Sequence, residues 1–183
     1  MIGLFGGAFD PPHNGHVALV AAAKERFGLE RVVVIVTAAP GHKAVETPVD
    51  VRVALARAAF PDDEVVVDGH ARTIDMLREH PEWEGALFLI GADELADFPS
   101  WKEPDEVLRL VRLGVAARPG YDRALLEASL ATLSDPERVL FFELDEPHAS
   151  RALRPALVAD AFPPAVWELI EREGLYARQP GVH

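Results

Sequence analysis

The sequence contains no cysteine among its 183 residues. This absence excludes disulfide bonds, cysteine-ligated zinc and thiol catalysis, and it agrees with a reducing compartment, so we expect a cytoplasmic protein. Long apolar runs are also missing, and residues 1–10 lack the basic and apolar regions of a signal peptide. We therefore expect no role in a membrane.

Positive charge is scarce as well. The chain has 18 lysines and arginines against 30 aspartates and glutamates, which gives a formal net charge of -12 with no visible basic cluster. Because binding to a nucleic acid requires a clustered basic surface, such a partner is not expected. A small anionic substrate is compatible with this charge if a few closely placed cations hold it.

The sequence does contain a regular alternation of apolar strands and helical segments. An apolar run at residues 2–5 ends at two glycines, a helical pattern covers about 15–27, and residues 32–36 are a β-branched run typical of a buried strand. Further helices are expected at 49–60, 73–79, 106–110, 123–133, 152–158 and 164–173, and further strands at 65–67, 86–90, 113–117 and 139–144. This order predicts an α/β fold with a doubly wound parallel sheet, residues 1–183 forming one domain.

The turn after the first strand has an unusual composition. It has neither the Gly-x-Gly-x-x-Gly of dinucleotide folds nor the Gly-Lys-Ser/Thr of a P-loop, which disfavours NAD binding and P-loop hydrolysis. Residues 6–16 instead read Gly-Gly-Ala-Phe-Asp-Pro-Pro-His-Asn-Gly-His. The spacing of His13 and His16 puts both imidazoles on one side of a helix N-terminus, where free N–H groups and the helix dipole favour anions. Local capping, or half of a metal site, is the alternative, but the whole string favours a phosphate site.

This string resembles the signature of the His-x-Gly-His nucleotidyltransferase superfamily, and its Phe-Asp-Pro-Pro-His form is most similar to the nicotinate-nucleotide adenylyltransferase family. Further similarities follow in the same order: Pro40-Gly41-His42-Lys43 with Arg52, Thr73-Ile74-Asp75, Gly91-Ala92-Asp93, Phe98-Pro99-Ser100-Trp101, Arg118-Pro119-Gly120-Tyr121 and Gly174-Leu175-Tyr176. The resemblance implies a Rossmann-like nucleotidyltransferase fold with a small C-terminal helical segment, about residues 150–176, that completes the ATP site.

The resemblance also implies roles for individual residues. Catalysis is assigned to His13, His16, Lys43 and Arg154, and ATP binding to Gly7, Ala8, Phe9, His16, Gly91, Asp93, Arg118, Ser150 and Arg154. Mononucleotide binding is assigned to Lys43, Thr73 and Trp101, with Trp101 stacking on the pyridine ring. The alternatives are a surface charge for Lys43, a core aromatic for Trp101 and helix caps for Asp93 and Thr73. No protein ligand for a metal is implied, because the ATP phosphates would hold Mg²⁺.

Residues 148–154 depart from the family pattern. The family's Ile-Ser-Ser-Thr-x-Ile-Arg motif corresponds here to His-Ala-Ser-Arg-Ala-Leu-Arg, in which Ser150 and Arg154 are the clear matches. Arg151 either adds a contact to the triphosphate or weakens ATP binding.

The reaction implied by the resemblance joins ATP and nicotinate mononucleotide to give nicotinate adenine dinucleotide and pyrophosphate, a step of NAD biosynthesis. An ionised phosphate is already a nucleophile, so positioning and charge stabilisation suffice without a general base. The alternatives are nicotinamide mononucleotide or pantetheine phosphate as the acceptor, and a nucleotide-binding module without catalysis. The oligomeric state stays open, a homo-oligomer included.

Overall fold

The computed structural model describes residues 1–39, 45, 47–117, 123–144 and 158–176. In that part of the chain the strands are β1 (Ile2–Gly7), β2 (Arg31–Thr37), β3 (Glu64–Asp68), β4 (Leu87–Gly91), β5 (Arg112–Ala117) and β6 (Val139–Glu143). The helices are α1 (Asn14–Phe27), α2 (Val49–Ala59), α3 (Thr73–Glu79), α4 (Ala92–Asp97), α5 (Pro104–Leu110), α6 (Arg123–Leu130) and α7 (Pro164–Glu173). Short 3₁₀ turns lie at Pro81–Trp83, Phe98–Ser100, Pro136–Arg138 and Ala159–Ala161.

The six strands form one parallel sheet in the order β3-β2-β1-β4-β5-β6. The chain first moves outward from β1 to β3, then crosses back and moves outward from β4 to β6. The direction therefore reverses between β1 and β4, which is the switch point where ligands of doubly wound sheets bind. The predicted α/β, Rossmann-like architecture is confirmed.

Each face of the sheet is covered by its own apolar core. Along β2, Val32, Val34 and Val36 belong to one core and Val33 and Ile35 to the other, because successive side chains of a strand point to opposite faces. The first core receives the apolar sides of α1, α2 and α7, and the second receives those of α3, α4 and α5. This double coverage explains why the strands read as continuous apolar runs.

The predicted boundaries agree with the structure to within a few residues. Helices α3 and α7 have the predicted limits, whereas α5 begins at Pro104 rather than 106, since proline is well suited to the first turn of a helix. Helix α6 ends at Leu130 rather than 133, and i→i+3 hydrogen bonds close the chain beyond it. Most of the helix expected at 152–158 lies outside the described residues.

Two kinds of element were not predicted. Helix α4 has six residues and the 3₁₀ turns have three each, so neither shows a recognisable apolar period. Among the described residues, no helix has the length and apolar character needed to cross a bilayer.

Candidate active site

The carboxyl ends of β1 and β4 separate at the switch point. The ladder between them consists of Gly3↔Leu87, Leu4↔Phe88 and Phe5↔Leu89, and it stops there. Strand β1 nevertheless continues beside β2 as far as Gly7, and β4 continues beside β5 as far as Gly91. A gap thus opens between two strand ends, at the position where this type of sheet binds its ligands.

The turn that leaves β1 is shaped by a buried aromatic ring. Phe9 has a left-handed backbone (φ 50°), and its ring, 2% exposed, lies 5.4 Å from that of Phe5 and 5.9 Å from that of Phe60. A Cβ atom on Gly7 would lie 3.1 Å from the Phe9 ring, so glycine lets the turn fold back over it. Since the ring is inside the core, Phe9 can offer a ligand only main-chain atoms.

The two histidines of the turn lie against each other at the start of α1. His13 is the N-cap residue, and its Nδ1 accepts a hydrogen bond from the Gly15 N–H at 3.1 Å. The Nδ1 of His16 accepts one from the His13 N–H, also at 3.1 Å, which completes a capping box. The ring centroids are 3.7 Å apart. The predicted placement on one side of the helix N-terminus is confirmed, and the capping alternative is realised by the same side chains.

This capping fixes the tautomer of both imidazoles. A nitrogen that accepts a hydrogen bond carries no proton, so each neutral ring has its proton on Nε2. The helix N-terminus thus holds two Nε2–H donors in parallel rings, one on buried His13 and one on half-buried His16. Such a pair can donate hydrogen bonds to phosphate oxygens, and the helix dipole adds a partial positive charge at the same end.

A buried arginine underlies the same turn. The side chain of Arg52, on α2, is 1% exposed, and all its described hydrogen bonds go to main-chain carbonyl oxygens. Nη1 donates to Ala8 and Thr37 at 2.8 Å, Nη2 to Ala38 at 2.9 Å and Nε to Thr47 at 3.0 Å. Arg52 belongs to one of the sequence motifs, but that motif does not indicate a role for it. Its position on the apolar side of α2, shared with Leu55, Ala56 and Ala59, was a signal that could have indicated its burial.

The C-terminal part of the described chain also contacts the turn. The Tyr176 hydroxyl donates to Asp10 Oδ1 at 2.5 Å, and the Asn14 side-chain amide donates to the carbonyl of Asp160 at 2.8 Å. Burial raises the pKa of the Tyr176 phenol, and the Asp10 carboxylate raises it further. These two contacts join α1 and the turn before it to the region around α7.

Where β4 ends, the chain turns directly into α4. Gly91 is the N-cap residue, and its N–H donates to Glu94 Oε2 at 2.7 Å. Asp93 is the second residue of α4 and is exposed. The alternative role of Asp93 as the helix cap is therefore wrong, because Gly91 occupies that position. Asp93 thus follows the end of β4, whereas the two histidines follow the end of β1.

Thr73 and Trp101 lie on segments that ion pairs hold together. Thr73 is the first residue of α3, and Arg72 precedes it as N-cap, so the alternative of a Thr73 cap is wrong. Lys102 Nζ lies 2.7 Å from Asp75 of α3, and a second ion pair joins Arg78 of that helix to Glu103 at 2.5 Å. Ion pairs as exposed as these add little to the stability of the fold, so their effect is mainly to place the segment.

The indole of Trp101 is packed on one side. Its ring centroid lies 5.1 Å from that of Phe98 and 6.3 Å from that of Phe88, and the side chain is half-buried. The ring is thus supported by the core but remains partly accessible.

Several predicted site residues, namely Lys43, Arg118, Ser150 and Arg154, lie outside the described residues, as does Arg151. Within the described ranges, no group of three or more histidines, aspartates or glutamates could hold a metal ion.

Comparison with known proteins identifies the chain. Residues 4–165 match the cytidylyltransferase-like family model. A protein of Rubrobacter xylanophilus named probable nicotinate-nucleotide adenylyltransferase is 32% identical over 96% of this chain and 91% of its own length. Proteins with the same name from Solibacter usitatus and Thermus thermophilus are 36% and 34% identical over 96% of this chain and 98% of their own lengths. This chain belongs to the nicotinate-nucleotide adenylyltransferase family.

Solved structures agree with the fold of this adenylyltransferase family member. The nicotinic acid mononucleotide adenylyltransferase of Plasmodium falciparum, complexed with APC, superposes with a TM-score of 0.77 over 98% of each chain at 15% identity. Its complex with NaAD gives a TM-score of 0.78 with the same coverage and identity. At this identity the likeness concerns the fold.

Proposed function

We propose that this family member transfers the adenylyl group of ATP to nicotinate mononucleotide, giving nicotinate adenine dinucleotide and pyrophosphate, a step of NAD biosynthesis. The observation that carries the proposal is the stacked pair of His13 and His16 at the N-terminus of α1, beside the gap between β1 and β4. The names of relatives at 32–36% identity supply the acceptor.

In this reaction a phosphate oxygen of the mononucleotide attacks the α-phosphorus of ATP. The bond between that phosphorus and the oxygen bridging to the β-phosphate breaks, and pyrophosphate leaves with the bonding electrons. The attacking oxygen is already ionised, so the protein has to align the reactants and stabilise charge. The Nε2–H groups of His16 and His13 would donate to the α- and β-phosphates, and the main chain at Gly7, Ala8 and Phe9 would line the same site.

Residues on both sides of the gap would supply the other contacts to ATP. Gly91 and exposed Asp93, where β4 ends, would bind the ribose, and the carboxylate would accept hydrogen bonds from its hydroxyls. Lys43, Arg118, Ser150 and Arg154 are assigned to ATP and its phosphates on the sequence motifs. The C-terminal segment, about residues 150–176, would complete the ATP site; the contacts Tyr176–Asp10 and Asn14–Asp160 support that assignment.

The mononucleotide would bind between α3 and the segment that carries Trp101. The partly accessible indole offers a face for the pyridine ring, and Thr73 offers a hydroxyl and a main-chain N–H in the first turn of a helix, a position that favours a carboxylate. A site that hydrogen-bonds the carboxylate would prefer nicotinate to nicotinamide mononucleotide. Lys43 would interact with the phosphate of the acceptor as well as with ATP.

The proposal includes a divalent cation bound to the phosphates of ATP. Mg²⁺ is commonly held by substrate phosphates and water with few protein ligands. It would offset the charge of the departing pyrophosphate. A cytoplasmic location is part of the same proposal and is supported by the cysteine-free sequence.

A pyrophosphate-release assay with ATP and three separate acceptors tests the proposal. Nicotinate mononucleotide, nicotinamide mononucleotide and pantetheine phosphate are each supplied at saturating ATP, and we expect the highest kcat/KM with nicotinate mononucleotide. Activity confined to pantetheine phosphate would contradict the acceptor. ATP binding in calorimetry with no release from any acceptor would instead indicate a nucleotide-binding module. A His13→Ser/His16→Ala double variant, purified in parallel, controls for contaminating enzymes.

A further inference from the structure

Arg52 connects three separate segments around the proposed phosphate site. Its guanidinium binds the carbonyl of Ala8 in the turn after β1, those of Thr37 and Ala38 where β2 ends, and that of Thr47 just before α2. We propose that Arg52 is a positioning residue for adenylyl transfer, which sets the orientation of these segments. This inference rests on the proposed function, because it concerns the alignment of the substrates in that reaction.

The side chain is too deeply buried to touch a substrate. With 1% of its surface exposed, Arg52 acts through the main chain that it binds. A trans peptide is planar, so its C=O and the following N–H point in opposite directions. By holding the Ala8 carbonyl, Arg52 therefore fixes the direction of the Phe9 N–H, one of the amides at the phosphate site.

Arg52 also fixes a peptide at the end of β2, where both the C=O and the N–H of that peptide form hydrogen bonds. The carbonyl of Thr37 accepts from Arg52 at 2.8 Å, and the N–H of the same peptide, on Ala38, donates to the carbonyl of Asp68 at 2.8 Å. This peptide is fixed between α2 and the end of β3. Ala38 and Thr47 flank, in the sequence, the stretch that contains Lys43, so one side chain holds both flanks of the segment that carries this lysine.

Stability accounts for one part of the role of Arg52, because its N–H groups satisfy four main-chain carbonyl oxygens. Its neighbours on the buried side of α2 are Leu55, Ala56 and Ala59, and an apolar residue there would avoid the cost of removing a charge from water but would leave those carbonyls without this partner. What an apolar residue cannot provide is a planar fork with N–H groups in fixed directions. Arg52 uses that fork to link the turn after β1 to the end of β2, and this is the geometry that the transfer reaction requires.

The test compares Arg52→Lys with Arg57→Lys. Both changes keep the charge and lie on α2, but Arg57 is exposed, so it serves as the matched control. Steady-state kinetics is measured at a temperature at which circular dichroism shows each variant to be folded. We expect Arg52→Lys to lower kcat by about 10²-fold, the typical effect of a displacement of roughly 1 Å in an aligned site, with much smaller changes in both KM values. Arg57→Lys should match the wild type.

A folded Arg52→Lys variant with wild-type kcat would overturn the inference while leaving the proposed function intact; a wild-type protein without activity on any acceptor would instead remove the proposed function. If the lysine variant does not fold, the wild-type protein provides the second measurement. The Nη–H resonances of Arg52 should shift when a non-hydrolysable ATP analogue binds, because Nη1 holds the Ala8 carbonyl, which belongs to the same peptide as the Phe9 N–H at the proposed phosphate site. Unchanged resonances at saturation would contradict the inference.

Discussion

His13 and His16 use the same ring atom for the same purpose: each Nδ1 accepts a main-chain N–H at the start of α1, and the two rings stack with centroids 3.7 Å apart. Folding of the helix N-terminus thus selects the tautomer that directs a proton to Nε2 on each ring. Capping and phosphate binding are compatible because they use opposite edges of the imidazole. Substitutions at the two positions can separate the two roles.

His16→Ala removes an Nε2–H donor and a capping acceptor together. We expect turnover to fall by about 10²–10³-fold, the usual loss when one donor to a developing oxyanion is removed. Stability should fall by only about 1 kcal/mol, since one capping hydrogen bond is lost. Pyrophosphate release and thermal unfolding measure the two effects. Near-normal turnover would show that His16 has no part in the chemistry.

His13→Ser separates the roles more sharply. Serine is a good N-cap residue, so the cap is retained while the imidazole donor is lost. We expect a melting temperature close to that of the wild type together with a large fall in kcat. His80→Ala, a change at a half-buried histidine stacked on Trp83 and remote from the turn in sequence, is the control and should leave kcat unchanged. An unchanged kcat would show that the imidazole of His13 has no part in the chemistry.

Trp101→Ala should weaken binding of the mononucleotide without affecting ATP. Stacking of a base on an aromatic side chain contributes about 1–3 kcal/mol, so the KM for the mononucleotide should rise roughly 5–150-fold. Trp101→Phe should recover much of this loss. Trp167→Phe, a change in a ring that stacks on Phe162, is the control. Binding of the mononucleotide should quench tryptophan fluorescence in the control but less in Trp101→Phe, and equal quenching in both would contradict the stacking role.

The hydrogen bond between Tyr176 and Asp10 can be tested by a double-mutant cycle. Tyr176→Phe and Asp10→Asn each weaken a 2.5 Å contact between a phenol and a carboxylate, and each should lower the free energy of unfolding by about 1–2 kcal/mol. Because both changes act on one interaction, the double variant should be less destabilised than the sum of the single variants. Denaturant titrations give the three values; strict additivity would show that the contact is not formed in solution.

We expect His70 to make the free energy of unfolding depend on pH. Its Nδ1 lies 2.6 Å from Asp68 Oδ1 and its Nε2 lies 3.3 Å from Glu79 Oε1, and the hydrogen bond to Asp68 is the main cause that raises the pKa of His70 above its usual value near 6.5. A raised pKa in the folded state means that protonated His70 stabilises the fold. The contribution is fully present below about pH 6.5, while both carboxylates are ionised, and it is lost as the pH rises through the folded-state pKa.

Unfolding of the wild type and of His70→Gln between pH 5 and 9, the range around the usual histidine pKa of about 6.5, measures this contribution. The difference in unfolding free energy between the two proteins should decrease with rising pH. Arg57→Lys, a charge-conserving change at an exposed residue of α2, is the control and should give a difference that does not vary with pH. A difference that stays constant with pH would contradict the assignment to His70.

Much of the fold follows from the sequence because its signals are local and repeated. Residues 32–36 predict a strand buried on both faces, and α7 has the predicted limits, with proline at its first position and Gly174 at its end. Helix α4 could not be predicted, since its six residues are too few to show a period and its N-cap is a glycine without a side chain.

The parts of the candidate site formed by residues close in sequence were predictable, whereas the parts formed by tertiary contacts were not. His13 and His16 are three residues apart, so helical geometry alone brings their rings together. The partners of Arg52 lie 5 to 44 residues away along the chain, and those of Tyr176 and Asn14 lie 166 and 146 residues away. Pairings at such distances depend on the order of the strands, which local patterns do not specify.

The early end of the hydrogen-bond ladder between β1 and β4 affects how well this family tolerates amino-acid substitutions. Beyond Phe5 and Leu89, the peptide groups that face the neighbouring strand are not used to join these two strands. Peptide groups are the same whatever side chain is attached, so substitutions leave this set of donors and acceptors in place. Homologues that share only about a third of their residues with this chain can therefore offer a nucleotide the same backbone surface.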